Sequence, residues 1–184
     1  MGIGKLLLRA TIGGYFFGHG MQKLAGWFGG GGPDGTGQFF EQAGLRPGRE
    51  QAYLAGAAEA GGGTLLALGL FTPAAVSMLA GVMTNAIRHV HAQNGLWNSD
   101  GGVELPAVIV ASLAALADSG PGPLSLDAAL GIRVRGPVVM AAALGTGAAG
   151  AILTVELARR AVPPPAPPAA EGLIQTEEPV AAAS

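Results

Sequence analysis

The side chains able to move a proton or hold a polar ligand are few in this chain, and most interrupt apolar runs. Tyr15, His19 and Lys23 recur at four-residue intervals, which places them on one stripe of a helix. Gly18 and Gly20 flank His19, so another backbone or a ligand can approach it closely. Glu59 lies about 12 Å from the end of its apolar run, by rise per residue, and no lysine or arginine of that run can neutralise it. It needs a partner or a proton. Pairing with Lys23 or Arg88 and a proton-handling role both remain open, and Gly56, Gly61, Gly62 and Gly63 around it favour a tight helix contact beside the carboxyl group. Arg88 and His91 share a helical face at three-residue spacing, while Asn85 and His89 share another at four. His89 and His91 therefore point apart, which argues against a local pair of metal ligands. His89 reads as a structural hydrogen-bonding residue, and axial haem ligation by His19 and His91 is the weaker alternative. Asn94, Trp97 and Glu104 complete the polar set.

The elements that must position these groups are apolar and long. Residues 51–70 contain one charge, residues 69–87 none and residues 136–155 none. A hydrocarbon core roughly 30 Å thick takes about 20 apolar residues of helix, so such windows read as membrane spans. Five spans are expected: residues 6–24, 51–69, 74–91, 103–118 and 138–157. Thr72-Pro73 supplies a cap and a first-turn proline, making a hairpin of the second and third helices. Ala141, Gly145 and Ala149 form a small-residue stripe suited to close packing of the fifth.

With 184 residues, 12% charged and 49% hydrophobic, the chain suits a single small helical membrane unit. It contains no cysteine, which excludes a dithiol relay, a disulfide framework and a thiolate-held cluster in this chain. A net charge of −2 without a basic run excludes nucleic acid as a partner. Gly29 to Gly32 with Pro33-Asp34-Gly35-Thr36-Gly37 lacks the ending and the preceding strand of a phosphate loop. Lys5 and Arg9 before an apolar run imitate a signal peptide, but His19 and Lys23 occupy the place of a cleavage site, so an uncleaved first helix is expected.

Antiparallel spans would gather the N-terminus, the Phe71 turn and residues 120–136 on one side, and residues 26–50 and 92–102 on the other. Arg9 and Asp118 are expected to form a structural ion pair on the first side. Charge bias of the first helix places the N-terminus in the cytoplasm and the chain, multi-pass, in the plasma membrane.

Several spaced motifs then recur in one order: Leu7-Leu8-Arg9, His19-Gly20-x-x-Lys23-Leu24, Gly35-Thr36-x-x-Phe39-Phe40-x-x-x-Gly44, and Gly56-x-x-Glu59-x-x-Gly62-Gly63 with Leu65-Leu66. Gly69-Leu70-x-Thr72-Pro73, His91-x-x-Asn94-Gly95-x-Trp97, Gly101-Gly102-x-Glu104 and Gly120-Pro121-Gly122-x-Leu124-Ser125-Leu126-Asp127 follow. In these the chain resembles the DoxX family of small integral membrane proteins. The resemblance implies an all-α, polytopic membrane bundle with a four-helix unit over residues 1–131; beyond that family pattern, the chain's own composition adds an expected transmembrane helix over 132–160 and a disordered Pro/Ala-rich acidic tail over 161–184. It also implies a subunit of a quinone-linked oxidoreductase or a redox-stress complex, with protein partners.

The reading that joins residues to resemblance is a polar pocket on the loop-rich side. Glu59, His19 and His91 would handle protons there. Lys23, Arg88, Asn94, Trp97 and Glu104 would bind a quinone, with no metal site. A transporter with the same residues as its substrate site, and a non-catalytic scaffold whose buried polar groups fix helix register, are the alternatives.

Overall fold

A computed structural model describes residues 2–161, and the expected tail lies outside them apart from Ala161. All regular structure among the described residues is helical. Five long helices, α1 (Ile3–Ala25), α3 (Gly48–Leu68), α4 (Thr72–Ala86), α5 (Glu104–Ser119) and α7 (Pro137–Ala161), are joined with two shorter ones, α2 (Gly32–Gln42) and α6 (Leu126–Ala129). The five expected spans coincide with the five long helices. The segment expected as a loop over residues 26–50 contains α2, which starts at the Gly32-Pro33 step where proline suits a first turn.

Among the described residues only α7 is both long and apolar enough to cross a membrane by length and composition. Helices α4 and α5 are 15 and 16 residues long, and α1 and α3 are diluted by glycine and by polar residues such as His19, Lys23 and Glu59.

Packing follows the glycines. A methyl group added at Gly13 of α1 would lie 2.5 Å from Gly63 O of α3, and one at Gly63 would lie 2.6 Å from Gly13 O. A side chain at Gly20 would strike the Ala60 and Gly56 backbone. The two helices therefore run antiparallel with backbone against backbone, as small-residue stripes allow. Helix α7 packs on α4 in the same manner but through Gly147 and the buried Ala143, with Gly147 against Ser77 and Gly81. The expected stripe of Ala141, Gly145 and Ala149 instead faces outward, half a turn away. Phe16, Leu66, Val76, Leu79, Leu113 and Leu116 fill the centre between the helices.

One end of the bundle is tied by two buried charges. The Arg9 guanidinium, fully buried, donates to Ala67 O at 2.8 Å and Leu66 O at 3.3 Å in the last turn of α3, and to Leu124 O. Asp127, 2% exposed, accepts from Phe71 N at 2.8 Å, Thr72 N at 3.0 Å and Thr72 Oγ1 at 2.7 Å. The cap of α4 is thus a distant carboxylate, and Thr72 donates to it instead of capping the helix itself. This clamp also holds Phe71 at φ 46°, a region non-glycine residues rarely enter. The expected Arg9–Asp118 pair does not form: Asp118 is exposed, and Arg9 is directed at helix carbonyls.

Neighbouring glycines of α1 give a direct test. Gly14 has open space where its side chain would go. Gly13→Ala should lower stability by about 1–3 kcal/mol through overpacking, whereas Gly14→Ala should be neutral or stabilising, measured by thermal unfolding in mild detergent.

Candidate functional site

The α1–α3 contact fixes the first part of the site. Lys23 lies nearly one turn beyond Gly20, and Glu59 directly precedes Ala60, so the close approach at Gly20 brings the two side chains together. Lys23 Nζ lies 2.6 Å from Glu59 Oε2, with the Glu59 carboxyl almost wholly shielded and the Lys23 side chain 19% exposed. Lys23 Nζ also reaches His19 O at 3.4 Å. Of the two partners open to Glu59, Lys23 is the one it meets. Arg88 instead approaches Glu156 of α7 at 3.9 Å.

The second part comes from a change of helical pitch. The last turn of α4 widens into a π-helical turn over Ile87–His91. A π turn carries more residues than an α turn, so the α-helical spacing that put Arg88 and His91 on one face does not apply. Arg88 turns to α7, while His91 turns inward, its Nδ1 2.7 Å from Gly101 O. A carbonyl only accepts, so His91 Nδ1 carries the hydrogen, and in the neutral ring Nε2 is left as an acceptor. His89 Nδ1 meets Ala43 O at 3.3 Å, the structural bond expected of it.

Lys23, Glu59 and His91 line one cavity of about 480 Å³ among α2, α3, α4 and α7. Its walls are otherwise largely apolar, with Phe39 and Phe40 from α2, Met78 and Met83 from α4, and Ala151 from α7. Gln51 and Asn85 also line it. Asn85 Oδ1 is buried without a hydrogen-bond partner, an acceptor that a ligand hydroxyl would satisfy. Sequence reasoning missed both amides and the aromatic wall. Gln51 opens the second expected span, and the Phe39-Phe40 pair stands in what was read as loop. Asn85 was noted only for its spacing to His89.

The remaining expected site residues lie elsewhere. His19 is on the exposed side of α1, with Nδ1 3.0 Å from Gln22 Oε1, and does not line the cavity. It therefore does not face His91 as an axial partner would. Gly20 beside it serves the α3 backbone and not a ligand at the histidine. Asn94 Nδ2 donates to Val90 O at 3.1 Å, and Glu104 Oε2 accepts from Asn98 N at 2.9 Å, so both order the turn between α4 and α5. Trp97 is exposed in that turn, and Arg88 remains at the α7 surface. Among the described residues no group of three or more His, Asp or Glu side chains is arranged to hold a metal.

The cavity thus joins a cation, an imidazole acceptor and an unpaired amide oxygen to an aromatic and thioether wall. Such a set offers both donors and acceptors beside an apolar wall.

A family model described as DoxX matches residues 4–92. Residues 4–92, just under half of the chain, carry a DoxX domain. The matched segment carries α1 to α4 and the π turn, hence Lys23, Glu59 and His91, while Asn94, Trp97 and Glu104 lie beyond it. A DoxX protein is at home in a lipid bilayer, in accord with the apolar length of α7. No curated protein and no solved structure matches the chain.

Removing one member of a shielded pair leaves the other uncompensated, which costs about 3–5 kcal/mol when burial is complete and less where, as at Lys23, water reaches the partner. Glu59→Leu should therefore destabilise the protein markedly, Glu59→Gln less, because its amide oxygen still accepts from Lys23 although the charge is lost, and the double variant Glu59→Leu with Lys23→Met should recover much of the loss. A double-mutant cycle on melting in detergent reads the coupling. A Glu59→Leu variant as stable as the wild type would remove the carboxyl–ammonium pair from the account.

Proposed function

We propose that this protein is a polytopic membrane bundle of the DoxX family that holds a quinone in the cavity among α2, α3, α4 and α7, as a subunit of a quinone-linked oxidoreductase. The observation that carries the reading is the one-sided chemistry of that cavity, with hydrogen-bonding groups from Lys23, Asn85 and His91 set against an apolar wall. Large apolar side chains directed outward along the bundle, including Ile3, Leu7, Leu105, Val108 and Leu153, support a lipid surround. The shorter helices are then spans within a protein whose neighbours share the cost of their polar residues.

The residues fit the ligand class. A quinone presents two carbonyl oxygens on a flat ring and becomes a quinol by taking up two electrons and two protons. Lys23 donates to a carbonyl oxygen, while His91 Nε2 and Asn85 Oδ1 accept from a hydroxyl, so both forms find partners. Phe39 and Phe40 cover the ring faces. Glu59 holds Lys23 in place and offers a carboxylate through which protons can pass. Without cysteine, the chain leaves electron supply to a partner subunit.

Purification in mild detergent followed by quinone extraction tests this directly. Lys23→Met and His91→Ala should each reduce quinone retention about 10- to 100-fold, the equivalent of a hydrogen bond worth about 1.5–3 kcal/mol. His19→Ala, outside the cavity, should change retention little. If wild-type protein neither carries quinone nor binds it when added, the reading fails and a scaffold role takes its place.

In the bilayer the Lys5 end faces the cytoplasm. A cysteine at Asp34 should react with a membrane-impermeant maleimide on intact cells, and one at Phe71 only after permeabilisation; the reverse pattern would turn the cavity end inward.

A further inference from the structure

At the end of the bundle opposite the Lys23–Glu59 pair, a second cavity of about 320 Å³ is lined by Lys5, Arg133 and Arg135, with no acidic residue in its wall. We propose that it is a phosphate site for the headgroup of an anionic phospholipid.

The three cations come from two parts of the fold, Lys5 from α1 and both arginines from the segment before α7, and two of them are held by hydrogen bonds. Lys5 Nζ donates to Ser119 O at 2.7 Å and Gly120 O at 3.0 Å, which fixes the ammonium at the mouth of the turn after α5 and leaves it one further proton to give. Arg135 NH1 approaches the same Ser119 O at 3.5 Å. Gly120 and Gly122, at φ 76° and 91°, make room for both: a side chain at Gly120 would lie 2.9 Å from Arg135 Cδ, and one at Gly122 would lie 3.2 Å from Lys5 Cβ. Among the described residues none of the three cations forms an ion pair. The nearby acids do not neutralise them: Asp127 is buried against Thr72, and Asp118 neither lines the cavity nor makes an ion pair. Three converging positive charges without a counter-ion call for an anion, and guanidinium forks match the oxygens of a phosphate.

The surroundings select a lipid over free phosphate. Leu124, Leu130 and Val134 are each more than half exposed beside the cavity, a surface that gains nothing from inorganic phosphate but suits acyl chains. Arg135 stands two residues before Pro137, where the apolar α7 begins, so the cations lie at headgroup depth if α7 spans. The inference rests on the bilayer reading of α7 and is independent of the quinone cavity.

The test uses the full chain in mild detergent, titrated with dioctanoyl phosphatidylglycerol, dioctanoyl phosphatidylcholine and inorganic phosphate. Phosphatidylglycerol should bind at least about tenfold more tightly than the zwitterionic lipid. At about fivefold per cation near a membrane surface, Arg133→Gln with Arg135→Gln should weaken phosphatidylglycerol binding about 25-fold. Arg46→Gln with Arg49→Gln, at the opposite end, should leave it unchanged. Both cavity arginines are exposed, and Arg133→Gln alone, which removes no protein contact, gives a fivefold loss if the double variant melts early. Equal binding of the two lipids, or an unchanged affinity in the arginine variants, overturns the proposal. Inorganic phosphate that matches phosphatidylglycerol in affinity and displaces it would assign the site to the free anion and reject the lipid.

Discussion

The approach of α1 to α3 sets the position of nearly every polar group in the bundle. Gly13 and Gly63 meet backbone to backbone, and Gly20 lies on the Ala60 backbone, so no side chain separates the two axes. At that spacing the ammonium of Lys23 and the carboxyl of Glu59 meet at 2.6 Å, and neither must face hydrocarbon unpaired. A single methyl group between the axes would spread them and loosen this pair together with the core around Phe16 and Leu66. Glycine is costly inside a helix by about 1 kcal/mol relative to alanine, and its repeated use here is explained by the contacts that only hydrogen side chains permit.

The two ends of the bundle solve the same problem by different means. At the Lys5 end, Arg9 donates to carbonyls in the last turn of α3, and Asp127 takes up amide hydrogens that α4 leaves free. Each buried charge is thus spread over several backbone dipoles instead of being matched to a single counter-ion. At the other end, ties are made through surface pairs and backbone carbonyls: Arg88 and Arg159 on Glu156, Arg159 on Gly44 O, and His89 on Ala43 O. The first end draws α1, α3 and α4 together through these buried ties. The second leaves room among α2, α3, α4 and α7 for a cavity.

Much of the helical layout and part of the site were legible before any coordinates. Long windows without charge located the five long helices, because a charge inside such a window is too expensive to occur by accident. The glycines about Glu59 marked a tight contact beside it, and Lys23 was one of its two expected partners, whereas His19, read on the same stripe, lies outside. The DoxX domain over residues 4–92 agrees with the motifs read there. Less legible was α2, whose glycine-rich start imitates a loop, and the face of α7 that packs, since Ala143 with Gly147 and Ala141 with Gly145 repeat at the same interval.

What the sequence determined by itself was therefore the set of helices and the scarcity of charge within them, because hydropathy and length act locally along the chain. Tertiary structure alone decided which partner each charge found. Glu59 met Lys23 and not Arg88, and Arg9 met carbonyls and not Asp118, because helix rotation and depth are set by the sum of packing contacts. It alone also decided that His91 turns into the cavity while Arg88 turns to α7 and His19 stays outside. A π turn changes the angular step between residues, and a periodicity argument built on the α-helical step cannot register it.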